Sequence, residues 1–160
     1  MASRPLSFLL FLGCTITSSA QTRVITTDIT HFWDAYDSIT AATDTAEQRR
    51  LLHIHFIDKA SIGQRGMFTA RRYTPDEYLH AIRSYPRFYA SVRPNMLRAD
   101  EHAEAMQAGA ERLRRLYPTM KPADIYFTVG VFRSGGTALD GNVLIGSEIS
   151  LTDKNTVVVE

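Results

Sequence analysis

The sequence predicts an α+β fold, with a predominantly helical N-terminal part followed by a β-hairpin or small antiparallel sheet. Apolar residues recur at helical spacing from Asp28 to Tyr117. After Asp124 the pattern changes to β-branched and aromatic runs, "DIYFTVGVF" and "VLIGSEIS". The helical and extended stretches follow one another instead of alternating, which argues against a parallel α/β sheet. The 160 residues are 44% hydrophobic and 22% charged, an ordinary globular composition for one domain. A chain of this length can bury roughly two thirds of its unfolded surface. The formal charge of +1 gives no electrostatic reason to expect a nucleic-acid partner.

Residues 1–20 read as a secretory signal peptide. Arg4 precedes the short apolar run "LSFLLFLGCTIT", and Ser18 and Ala20 stand at the −3 and −1 positions of a cleavage after Ala20. The run is too short to span a bilayer, so no transmembrane segment is expected. The product is expected to be exported, periplasmic or extracellular, with residues 21–160 forming a single α+β domain. "FLGC" also loosely matches a lipobox, which would make Cys14 a lipid anchor, but Phe11 stands where Leu is usual and cleavage after Ala20 is favoured. Cys14 is the only cysteine, so the mature chain would rely on its core instead of a disulfide.

The elements follow in order. Asp28 reads as the N-cap of a first helix carrying Ile29, Phe32, Trp33, Tyr36 and Ile39 on one face. "TAEQ", Thr45 to Gln48, has capping-box form and opens a second helix to about Ala60, with Leu51, Leu52, Phe56 and Lys59 along one side. "SIGQRGMF" holds two glycines and reads as a loop. "TPDE", Thr74 to Glu77, is a strong helix start, and Pro86 should kink or divide the helix that follows. Helical spacing resumes to near Pro94. A further helix runs from about Asp100 to Tyr117, with Ala103, Met106, Ala110, Leu113 and Tyr117 as its apolar face. Two strands close the chain. "RSGGTALDGN" is the loop between them, and Val143, Ile145, Ser147 and Ile149 share one face of the second strand.

Residue patterns alone assign no chemistry. "SGGT" lacks the Lys and the helix of a phosphate loop and reads as a hairpin connection. His53 and His55 lie at i and i+2 of a helix, on different faces, and read as structural. "DEH" at Asp100 to His102 suits a helix N-terminus, and "RLRR" at Arg112 to Arg115 a solvated C-terminal face. Asp140 before Gly141 is turn chemistry, while Glu148 either faces solvent or binds something across its strand.

A resemblance goes further. Tyr117-Pro118, Pro122, Ile125 to Phe127, Gly135 to Thr137, and Leu144 to Gly146 with Glu148 resemble the succession "Y-P", "P-x-x-[IV]-Y-F", "GGT" and "L-I-G-x-E". This is the pattern in the N-terminal half of bacterial exported zinc-dependent proteases, an H-E-x-x-H family of otherwise unknown function. The resemblance covers about residues 25–150 and implies a zincin-like N-terminal portion. In that family a later helix carries two histidines that bind zinc and a Glu that acts as general base. It implies that Leu144, Ile145, Gly146 and Glu148 wall a substrate cleft beside the Gly135, Gly136 and Thr137 loop, with the strand edge holding an extended peptide or protein substrate. No H-E-x-x-H occurs in these 160 residues, so no catalytic or metal-ligating residue is assigned and no cofactor is expected in this chain; zinc belongs to the full-length family. The expectation is therefore an incomplete metallopeptidase-like segment, inactive by itself. The apolar, β-prone "TVVVE" end favours truncation over a separately encoded partner or a stable short form. The alternative is an exported non-catalytic binding or scaffold module.

Overall fold

A computed structural model describes residues 21–158. The predicted signal peptide, its cleavage after Ala20 and the lipid anchor at Cys14 lie outside the described residues. The α+β class stands, with one addition: a short strand, β1 (Val24–Ile25), precedes the helices. Then come α1 (Thr27–Ala41), α2 (Thr45–Leu52) continued by a π turn over His53–Ile57, and α3 (Ile62–Arg71). α4 (Pro75–Ser84), α5 (Pro86–Met96), a 3-10 turn at Ala99–His102 and α6 (Ala103–Leu116) follow. β2 (Ile125–Thr128), β3 (Gly136–Leu139), β4 (Asn142–Gly146) and α7 (Ser147–Ser150) end the fold.

The helix starts show how local chemistry sets boundaries. Thr74 and Glu77 form the predicted capping box, and Pro86 separates α4 from α5 by occupying the first turn of α5. Asp28, expected as an N-cap, lies within the first turn of α1 and is fully buried. Its carboxylate accepts hydrogen bonds from the Ser61 backbone (2.9 Å) and hydroxyl, tying α1 to the start of α3. Asp44, not Thr45, caps α2 by accepting from the Glu47 amide at 2.8 Å.

The expected loop at "SIGQRGMF" is helix α3. Its glycines serve packing. A Cβ on Gly63 would stand 2.5 Å from Tyr126 Cδ1 and closer still to Cβ and Cγ, so glycine lets α3 lie directly on β2. A Cβ on Gly66 would be less crowded, 3.0 Å from Leu139 Cδ2 and in ordinary contact with Leu144 at 3.5 Å.

The sheet also differs from the expected hairpin. Its order is β1-β2-β4-β3, with β1 and β4 both parallel to β2. The antiparallel hairpin is β3 with β4, so residues assigned to the loop form β3, and its turn is Asp140-Gly141 with positive φ at both residues. "VLIGSEIS" is not one strand, because β4 stops at Gly146 and Ser147 begins a helical turn. The sheet is mixed, and β4 is interior rather than at the edge.

The core joins α1, the π turn, α4 and α5 to β2 through Phe32, Trp33, Phe56, Tyr78, Tyr89 and Phe127. A smaller cluster of Met67, Tyr126 and Leu144 seals α3 on one sheet face. On the opposite face stand Ile125, Val143 and Ile145, flanked by α6. α6 has no buried residue, and it leaves a cavity of about 320 Å³ against that face.

Candidate functional site at the open end of the sheet

β3, β4, the segment between β2 and β3, and α7 meet at one end of the sheet. The structure brings the two groups of sequence-predicted residues together. Gly136 lies opposite Ile145 and Thr137 opposite Leu144. Gly135 sits just before β3, where its carbonyl accepts from the Gly146 amide at 3.0 Å and the Ser150 hydroxyl at 2.8 Å. Gly146 is confined: a Cβ there would collide with the Ser134 carbonyl.

The four wall residues do not share one surface. Leu144 is buried toward α3, whereas Ile145 points to the opposite face. β4 is paired on both sides, so it has no edge to offer a peptide. The outer strand is β3. At one end of that edge, Arg71 donates to the Gly136 carbonyl at 3.2 Å.

Glu148 was expected on the wall or in solvent, and it is in neither place. It lies in the first turn of α7 and is completely buried. Its carboxylate accepts from the Gly130 amide at 3.0 Å and the Phe132 amide at 3.3 Å. Burial without a cationic partner pushes it up to about 7, against the pull of those backbone donors. The charge in turn raises Tyr78 and Tyr89, both already raised by burial. A tyrosine hydroxyl completes the surroundings: Tyr73 and Glu148 Oε1 each lie 2.8 Å from where a Gly130 Cβ would stand. No Cβ fits between them, which explains the glycine.

Phe132 is a bulky residue at φ 63°, a costly backbone state outside glycine. Its ring packs edge-on against Phe88 at 4.8 Å and Tyr85 at 5.2 Å. Grooves of about 280 and 530 Å³ share the Tyr85–Phe132 pair as a wall, the larger rimmed by Asp76, Glu77, His80 and Arg133.

Sequence reasoning missed Gln64, Tyr73 and Phe132. Gln64 is fully buried, and its amide pairs with both backbone groups of Val129, accepting at 2.7 Å and donating at 2.8 Å. It acts as a one-residue strand continuing β2. The glycines on either side of it were the available signal, since glycines in a helix mark a close approach.

The remaining candidates stay apart. His53 lies 3.5 Å from Asp58, on the α2 extension. Arg114, within the expected solvated run, is instead half-buried and bonded to Glu111 and Thr22. Among the described residues no group of three His, Cys, Asp or Glu side chains could hold a metal ion, and no helix is long and apolar enough to cross a membrane. Comparison with protein-family models, curated proteins and solved structures finds no match.

Proposed function

We propose that this domain is the N-terminal segment of an exported zinc-metallopeptidase-like protein whose complete form hydrolyses peptide bonds. The observation that supports it most is the open sheet face. Ile125, Val143 and Ile145 present apolar side chains that α6 flanks but does not seal, and Val143 is 40% exposed. A further amphipathic helix laid there would bury this face, and in the zincin-like arrangement that helix carries H-E-x-x-H. Zinc ligands come from that helix and none from residues 21–158. The test is the coding sequence beyond the Glu160 codon. A frame encoding H-E-x-x-H, directly or after one frameshift, supports the reading, and its absence sinks it.

The edge of β3 favours a second reading, an exported peptide-binding module. No described strand pairs with the outer side of β3. The two-residue turn makes Leu139–Asn142 a hydrogen-bonded pair, so Ala138, opposite Val143, directs its amide outward. An extended peptide can add there by main-chain bonds. Ala138→Pro removes that donor without touching the β3–β4 ladder. Titration calorimetry with unstructured peptides should show binding to the parent and its loss in Ala138→Pro. Equal binding by both proteins, or none by either, rules out the edge.

A further inference from the structure

The outer edge of β3 ends at a cation. Gly136 and Ala138 stand opposite Ile145 and Val143, in the pairs that do not bond across the hairpin, so both turn their backbone groups outward. Ala138 is exposed, and its amide and carbonyl meet solvent. Gly136 is closed off. Its amide donates to the Ser134 hydroxyl at 3.3 Å, and its carbonyl accepts from that hydroxyl at 3.0 Å and from Arg71 Nη2 at 3.2 Å. We propose that this edge receives the C-terminus of an extended peptide, which pairs antiparallel with Ala138 and sets its terminal carboxylate on Arg71.

The direction follows from the ladder. β3 runs from Gly136 to Leu139. A peptide antiparallel to it makes paired main-chain bonds with Ala138 and then heads toward Gly136. Its next bonding position would lie opposite Gly136, where Ser134 and Arg71 already hold both backbone groups. A strand that continues must displace them. A chain that ends one residue after the partner of Ala138 avoids that conflict. Its carboxylate falls where the next amide nitrogen would be, facing the guanidinium on the Gly136 carbonyl. A parallel peptide would bring its N-terminal ammonium to the same place, against the Arg71 charge.

Arg71 suits a carboxylate and has none. It lies in the last turn of α3, where a cation favours the helix dipole, yet its side chain reaches across to β3. Among the described residues its guanidinium donates only to the neutral Gly136 carbonyl, and its Nε is buried without a partner. Arg133 nearby is already engaged, by Glu77 at 3.2 Å and by the Tyr73 ring. A bond from arginine to a carboxylate is charge-assisted and stronger than one to a carbonyl. The peptide residue paired with Ala138 shares a sheet face with Ala138 and the exposed Val143, so an apolar, β-branched side chain fits there. This inference rests on the β3-edge reading and is independent of the metallopeptidase reading.

The probe is the acetylated peptide Thr-Thr-Ser-Val-Ser with a free C-terminal carboxylate, compared with the same peptide amidated. Amide NMR titration of the 15N-labelled protein reads both. The free acid should shift the Ala138 and Gly136 amides and bind about tenfold more tightly than the amide. Arg71→Gln should bring the free acid down to the affinity of the amide and leave the amide unchanged. Ala138→Pro should abolish the binding of both. Equal affinity of acid and amide for the parent, with both lost in Ala138→Pro, keeps the edge and overturns the carboxylate site. Binding of neither peptide overturns the edge and the site together. A preference for the acid that survives in Arg71→Gln overturns the role of Arg71. An amidated peptide with Asp as its last residue that matches the free acid overturns the commitment to a chain terminus. The acid and amide are compared on the parent protein, so that comparison decides even if Arg71→Gln does not fold.

Discussion

Gly63→Ala adds one methyl group to the first turn of α3, and the structure predicts a large loss of stability. The new Cβ would lie 2.5 Å from Tyr126 Cδ1 and closer to the ring's root, the part of the side chain that cannot swing away. Tyr126 is fixed by parallel pairing with both Ile25 and Leu144. Relief therefore requires α3 to lift from the sheet. Lifting it stretches the two Gln64–Val129 bonds and the Ser61–Asp28 bonds, which flank Gly63 in sequence. Overpacking alone costs about 1–3 kcal/mol, and each weakened hydrogen bond adds about 1 kcal/mol. Alanine's helix preference returns less than about 1 kcal/mol. The net expectation is a loss of about 4 kcal/mol, or roughly 10 °C in Tm for a chain of this size. Gly109→Ala is the control. Gly109 sits within α6 with nothing within 4 Å of an added Cβ, so the same substitution should stabilise by about 0.5–1 kcal/mol. Urea and thermal unfolding followed by circular dichroism measure both. If Gly63→Ala is within 0.5 kcal/mol of the parent, on the scale of an ordinary surface change, the account of α3 packed directly on β2 is wrong.

Two further outcomes follow from buried polar groups. Glu148 sits at about 7 in the folded protein against an ordinary 4.5, so the native state keeps a proton that the unfolded chain releases between those values. Its contribution is most favourable below pH 4.5 and declines as pH rises to 7, by about 3 kcal/mol at 1.36 kcal/mol per unit. Unfolding free energies of the parent minus Glu148→Gln should show that slope; a flat difference from pH 4.5 to 8 refutes it. Asp28, raised by burial, remains in both proteins and cancels. Gln64→Leu strands the buried Val129 amide while leaving its carbonyl to Tyr78, and should cost about 2 kcal/mol by urea unfolding. A neutral result would mean that Val129 has another partner.

Local rules made much of the fold legible. The Thr74–Glu77 box, the break at Pro86 and the apolar spacing in α1 depend on residues within a turn of one another, and each appears where the sequence places it. The errors came where a contact distant in sequence outweighed local preference. Gly63 and Gly66 read as loop residues because glycine weakens helices, yet their use is to admit Tyr126 and Leu139. The hairpin was misplaced because β-propensity marks extended segments but not their partners. Ile125 to Thr128 pair with residues 143–146 in parallel, and that register depends on β1 and on the packing of α3.

The candidate site divides along the same line. The Gly135–Thr137 and Leu144–Gly146 motifs were visible and do meet across the β3–β4 pair. Glu148 was visible as an acid, but a carboxylate's sequence neighbours cannot show whether it faces water. Sequence by itself determined the α+β class, the Thr74–Glu77 helix start, the break at Pro86 and the turn at Asp140-Gly141, because these rest on backbone preferences of adjacent residues. Only the tertiary structure decided which strand is the edge, which sheet face stays open and that Glu148 is buried. Those outcomes depend on segments up to about 100 residues apart competing for the same apolar surface and the same hydrogen bonds.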